Sequence, residues 1–166
     1  MLIPFDKIDA QARVWIYQLN RALGEKEIEY VEKLVSAFCQ GWQAHGVPLA
    51  TSYAIFYNQF LVLAVDEKSS GVSGCSIDGS VHVLKQIEAQ FDVNFFDRTL
   101  IALLEDDRVI LSPLSKLKEM LANGTIKPTT ITFNNLVASK EEMTKNWKQP
   151  IQVSWLSKYL PKKALA

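Results

Sequence analysis

Apolar residues recur along this chain with two different periods, and the switches between them predict the order of elements. In RVWIYQL, Arg13 to Leu19, β-branched and aromatic residues follow one another, which reads as a strand. Beyond Gly24 and Glu25 the period changes. Ile28, Val31, Val35, Phe38 and Trp42 fall three and four apart, with Glu25, Glu29, Glu32 and Lys33 elsewhere, so the segment is an amphipathic helix. Its end is expected near His45 and Gly46, since Gly46 suits a C-terminal cap and Pro48 cannot continue a helix. SYAIFYNQFLVLAVDE then offers two strand-like halves around Asn58 and Gln59, a β-hairpin without the strong Asn-Gly turn signal.

After a glycine-rich loop, Val81, Leu84, Ile87 and Phe91 mark a second amphipathic helix, and Thr99 to Leu104 a further strand. Strand, helix, strand, strand, helix, strand is the order of the ferredoxin-like split βαβ arrangement. EDDR turns into VIL, Pro113 to Asn123 forms a short helix with Gly124 past its end, and TTITFNNLV reads as a strand. Ser139 with Glu142 three residues on is a capping box for a last helix, and Trp147, Trp155 and Tyr159 are expected to fold the tail back over the body. The reading is a single α+β domain over residues 1–166. It has a ferredoxin-like βαββαβ core over about 10–111 and a C-terminal hairpin, helix, strand and helix extension over about 112–166.

Composition adds limits. A chain of 166 residues with 48% apolar and 22% charged residues can bury a core of its own without a metal or disulfide. Eighteen basic residues balance eighteen acidic ones, so no overall field draws the chain to nucleic acid or an anionic membrane. The longest apolar run, Phe60 to Val65, is too short to span a bilayer, and MLIPFDKID has neither a basic n-region nor an extended apolar h-region. Cys39 and Cys75 both read as thiols, and the expected location is cytoplasmic.

RVWIYQLNR, WQAHGVPL, YNQFLVLAVDE, SGCSIDGSV, FNNLV and NWKQP, in that order and across essentially the whole chain, resemble a family of small uncharacterised bacterial proteins often labelled "ABC transporter ATPase". The family brings no established activity, so the resemblance assigns no roles. The label fails on chemistry: a nucleotide-hydrolysing loop of that class ends in Lys followed by Ser or Thr, to hold phosphates and magnesium. SGVSGCSIDGS has the glycines without the lysine. No ATP binding, cofactor or metal is expected.

SSGVSGCSIDGS, Ser69 to Ser80, is where a site is expected. Cys75 has three explanations. It is a small residue at a helix start with glycines and serines supplying turn geometry; or it marks an anion site, in which backbone N–H groups of Gly71, Gly74, Ser76 and Ser80 at a helix N-terminus hold a phosphate or carboxylate, with Asp78 competing for the same donors; or it is a reactive thiolate. A thiolate needs a base. His82 points away from the apolar face of its helix and reads as a surface histidine, whereas His45 lies on a connection that the βαββαβ topology brings to the same sheet edge. Cap residue is the plainer role for His45. Asn134 and Asn135, adjacent in a predicted strand where asparagine is disfavoured, are expected to make specific backbone hydrogen bonds or line a pocket. The four tryptophans are expected mostly in the core, with an aromatic-walled ligand pocket as the second reading.

Two functions follow from the sequence. One is a cytosolic non-catalytic binding or regulatory module whose Cys75 loop contacts a small anionic ligand or a protein partner. The other is a thiol-dependent enzyme for acyl or group transfer, with Cys75 as nucleophile and His45 as base.

Overall fold

The computed structural model describes residues 1–68 and 77–162. In chain order the first half holds β1 (Arg13–Gln18), α1 (Glu25–Gly41), β2 (Gln43–Ala44), β3 (Val47–Pro48), β4 (Ala50–Phe56), β5 (Phe60–Asp66) and α2 (Asp78–Phe91). The second half holds β6 (Leu100–Glu105), β7 (Arg108–Pro113), α3 (Leu117–Ala122), β8 (Ile131–Phe133), α4 (Lys140–Asn146) and β9 (Lys148–Pro150), then 3-10 turns at Ile151–Val153 and Trp155–Tyr159. The chain is α+β.

Two antiparallel sheets organise these elements, one in the order β1-β5-β4 and one in the order β7-β6-β8-β9. The apolar run of β5 is unbroken because both faces of this central strand are covered. Leu61, Leu63 and Val65 pack in the cluster with α1 and α2, whereas Phe60, Val62 and Ala64 pack against residues of the second sheet and α4. In β6, Ala102 joins that shared layer and Ile101 and Leu103 join Leu117, Leu121, Ile151 and Leu156 on the far side. Helices, sheet, sheet and helices therefore stack as four layers, and each fully buried Leu or Phe in them contributes roughly 1.5–3 kcal/mol.

The expected fourth strand of a ferredoxin-like sheet does not join β1. Leu100–Glu105 pairs with β7 and β8, and the edge of β1 it would have taken is occupied by residues 138–140. There Val14 N–H donates to the Ala138 carbonyl at 3.0 Å and Lys140 N–H to the Ala12 carbonyl at 3.0 Å. The first three strands keep the 1-3-2 order and antiparallel sense of the split arrangement.

The first helix stops at Gly41 instead of near His45. Gln43–Ala44 and Val47–Pro48 pair as a tight hairpin, with His45 (φ 53°) and Gly46 (φ 79°) as its two left-handed turn residues. That is the type I′ requirement, which glycine meets without strain and histidine meets more readily than most residues. At the other end of α1, the Glu27 carboxylate accepts from the Gly24 N–H at 3.0 Å and receives both Arg21 guanidinium nitrogens, at 2.8 and 2.7 Å. The Arg21 hydrogen bonds, followed by the Gly24 N–H, lower the Glu27 pKa to about 2. A depressed carboxylate pKa adds stability above the unfolded value of 4.5, lost as pH falls towards about 2. The pair is partly exposed, which discounts its strength. Glu27→Gln is expected to cost about 1 kcal/mol at pH 7 in urea denaturation, with a difference from wild type that shrinks through that acid window.

The tail packs on the body through two of the three expected side chains, Trp147 and Tyr159. Trp147 is buried, and Ile151, Leu156 and Leu160 seal the second sheet, but Trp155 is 51% exposed. Among the described residues no helix is long and apolar enough to cross a membrane.

Candidate functional site

The residues singled out from the sequence scatter. Gly71, Gly74, Cys75 and Ser76 lie outside the described residues. His45 is exposed at the tip of the β2-β3 hairpin. Ala50 pairs with Asp66, so the chain that enters β4 from the His45 hairpin and the last residue of β5 lie at the same end of the sheet. Asp78 is exposed in the first turn of α2, where a carboxylate meets the positive end of the helix. The Ser80 side chain is buried, 0% exposed, and its hydroxyl donates to the Ile77 carbonyl at 2.6 Å. Gly79 serves packing, since a Cβ there would stand 3.3 Å from the Phe38 ring on α1. Cys39 is fully buried in α1, and burial pushes its thiol up to about 12, against a smaller opposing effect of the Thr51 hydroxyl.

Asn134 and Asn135 are not in a strand, because β8 ends at Phe133 and the pair begins a turn. Asn134 makes a side-chain hydrogen bond to backbone, whereas the bonds of Asn135 go to other side chains. Asn135 donates from Nδ2 to Gln18 Oε1 at 3.2 Å and accepts from Trp147 Nε1 at 2.9 Å, which ties β1 to the end of α4. The Asn134 carbonyl oxygen of the side chain accepts from the Leu136 N–H at 3.1 Å. Both also line a groove of about 400 Å³ with Gln18, Arg98 and half-exposed Trp155.

A second concavity is aromatic-walled and includes Trp147, though its other walls come from residues not singled out from the sequence. Between the edge of the first sheet and α4 lies a cleft of about 500 Å³, walled by Phe5, Phe56, Tyr57, Met143 and Trp147. Phe56 meets Phe5 edge-on with ring centroids 5.8 Å apart, and meets Trp147 the same way at 5.4 Å. Two ammonium groups stand at its mouth. Lys148 Nζ lies 5.1 Å from the Tyr57 ring centroid and Lys140 Nζ 5.7 Å from that of Phe5. Lys140 is further fixed by donating to the carbonyls of Ile8 at 2.8 Å and Asp6 at 3.2 Å.

Family models, curated proteins and solved structures were all compared with this chain, and none matches. The chemistry of the cleft must therefore carry the functional reading. Its walls are mainly aromatic and thioether, with Ile55 beside them; the Thr144 hydroxyl is turned back to the Lys140 carbonyl at 3.0 Å, which leaves the Tyr57 phenol as the other hydroxyl of the lining. Such walls take up an apolar, flat group, and the lysines favour a negative charge beside it.

Signals for this cleft are present in the sequence but dispersed. Phe56 ends β4, and Tyr57 (φ 54°) and Asn58 (φ 55°) are left-handed residues of the turn into β5. The left-handed pair is what this tight β4-β5 connection requires, and it sets the Tyr57 ring at the end of the strand, beside the cleft. Phe5 and Trp147 belong to segments whose other properties, an unremarkable N-terminus and a docking tail, explain them well enough.

Proposed function

We propose that this protein is a non-catalytic binding module whose ligand combines an apolar, flat group with a negative charge and is held in the cleft between β4, Phe5 and α4. One observation carries the reading: an aromatic box open to solvent, with Lys140 and Lys148 seated over ring faces at its mouth. Phe5, Phe56 and Tyr57 remain partly exposed in the cleft wall, where a ligand can reach them, and the two lysines place positive charge beside those rings. A half-ferredoxin-like βαββ unit supplies one wall, and Cys39 as a free thiol supports a reducing, cytoplasmic setting.

The test is a titration of the isotopically labelled chain with 2-naphthoate, followed by the Trp147 indole N–H resonance and the amides of Phe56 and Tyr57. Saturable shifts at these positions are expected, about tenfold weaker for uncharged 2-naphthylmethanol and for naphthoate with Lys148→Glu. Absence of shifts at millimolar naphthoate, or shifts confined to another surface, would overturn the proposal.

A further inference from the structure

We infer that the ligand of this cleft is an extended, acidic segment of a partner protein, added as a strand to the outer edge of β4 with one aromatic side chain seated in the cleft; this rests on the cleft being a binding site. The sheet order leaves β4 at an edge. That edge already accepts a strand at one end. Thr51 N–H donates to the Met1 carbonyl at 2.9 Å, Ile3 N–H donates to the Thr51 carbonyl at 2.7 Å, and Leu2 bridges Thr51 in the parallel sense. Alternation along the strand aims the backbone N–H and C=O of Tyr53 and Ile55 the same way. Among the described residues no segment outside the sheet hydrogen-bonds to them. The N-terminal segment leaves the edge at Pro4, whose carbonyl accepts from Lys7 N–H at 2.9 Å as the chain turns.

Natural sheets usually blunt or cover such an edge. Here the cover stops at Thr51, and the uncovered stretch runs into the cleft, since Ile55 and Phe56 both line it. A strand laid beside Tyr53 and Ile55 would gain main-chain hydrogen bonds there. Its side chains would alternate between the two faces, so one on the Phe56 face would enter the aromatic box. A volume of about 500 Å³ accommodates an indole or phenyl group. Lys148 is exposed and Lys140 stands beside it at the mouth, which selects carboxylates in the residues flanking the anchor. Open backbone donors and acceptors beside a side-chain pocket match a peptide better than a free small anion, because only a peptide satisfies both.

The probe is acetyl-Glu-Val-Trp-Val-Glu-amide, added to the labelled full chain and read by resonance shifts and amide hydrogen exchange. Saturable binding is expected, with exchange of the Tyr53 and Ile55 amides slowed about tenfold or more. Peptides N-methylated either at the tryptophan or at both valines should divide, one losing about tenfold in affinity and the other retaining it, because only one set of amides faces β4. Exchanging both glutamates for lysines should also weaken binding about tenfold. Unchanged Tyr53 and Ile55 exchange, or equal binding of both N-methyl peptides, would overturn strand addition. Naphthoate binding without peptide binding would do the same while leaving the cleft as a small-anion site. Failure of both probes would remove the cleft itself.

Discussion

Trp147→Ala is expected to lower the free energy of unfolding by about 4 kcal/mol, the largest loss from any single truncation outside the two central strands. The side chain is 4% exposed and sits where the two sheets meet. Phe60 of β5 lies 5.1 Å from it edge-on, Phe133 of β8 4.9 Å away, and Phe56 of β4 5.4 Å away, all measured between ring centroids. Alanine would leave a cavity lined by rigid rings that cannot collapse into it, the condition under which truncations cost most. It would also remove the donor to Asn135 Oδ1, leaving a half-buried amide oxygen short of a partner. Trp155→Ala is the control, since that residue is half exposed and should change stability by no more than about 0.5 kcal/mol. Guanidinium denaturation with an unchanged slope would attribute the loss to the folded state. A cost near that of Trp155→Ala would mean that the inter-sheet layer is not anchored at Trp147.

The same residue shows where the sequence is legible. The stripe from Ile28 to Trp42 and the unbroken run of β5 are local patterns with one structural solution each, and both elements stand where the pattern puts them. Partnership between strands is not local. LIALLE has apolar residues on both faces, which fits a central strand in either sheet, and only the pairing of Leu103 with Thr132 and Ile110 decides for the second. His45 and Gly46 fail differently, since a glycine after an amphipathic helix suits a cap or a type I′ turn equally, and nothing local to the pair chooses between them. The cleft was hidden because its walls come from residues 5, 56, 57, 143 and 147, with spacings set by the packing of α4 on the sheet edge and not by any motif. Asn134 and Asn135 were legible as anomalies but not as turn residues, because a strand of three residues is shorter than the apolar pattern around it.

A chain carrying Cys75→Ser keeps Cys39, and its reaction with a disulfide reagent at pH 8 is expected to be about a thousandfold slower than that of free cysteine. The thiol is 0% exposed, between α1 and β4, and donates to the Ser52 carbonyl at 4.0 Å. Burial there penalises the thiolate and pushes the pKa up to about 12. At pH 8 the nucleophilic form is then about one part in ten thousand, and the rate should climb about tenfold per pH unit to pH 10 without a plateau. The linkage has one sign: because the folded thiol holds its proton above the unfolded value of 9.0, its contribution to stability is complete below pH 9 and is lost as pH rises towards 12. Reaction of this variant at the rate of a free thiol would show that the contact between α1 and β4 opens readily, and the assignment of Cys39 to the core would fail. With the slow background in hand, the faster phase of the unmodified chain belongs to Cys75. A plateau in that phase below pH 8 would mark a depressed pKa and revive the thiol-enzyme reading, whereas titration near the ordinary cysteine value would leave Cys75 without an activated nucleophile and the aromatic cleft as the site to pursue.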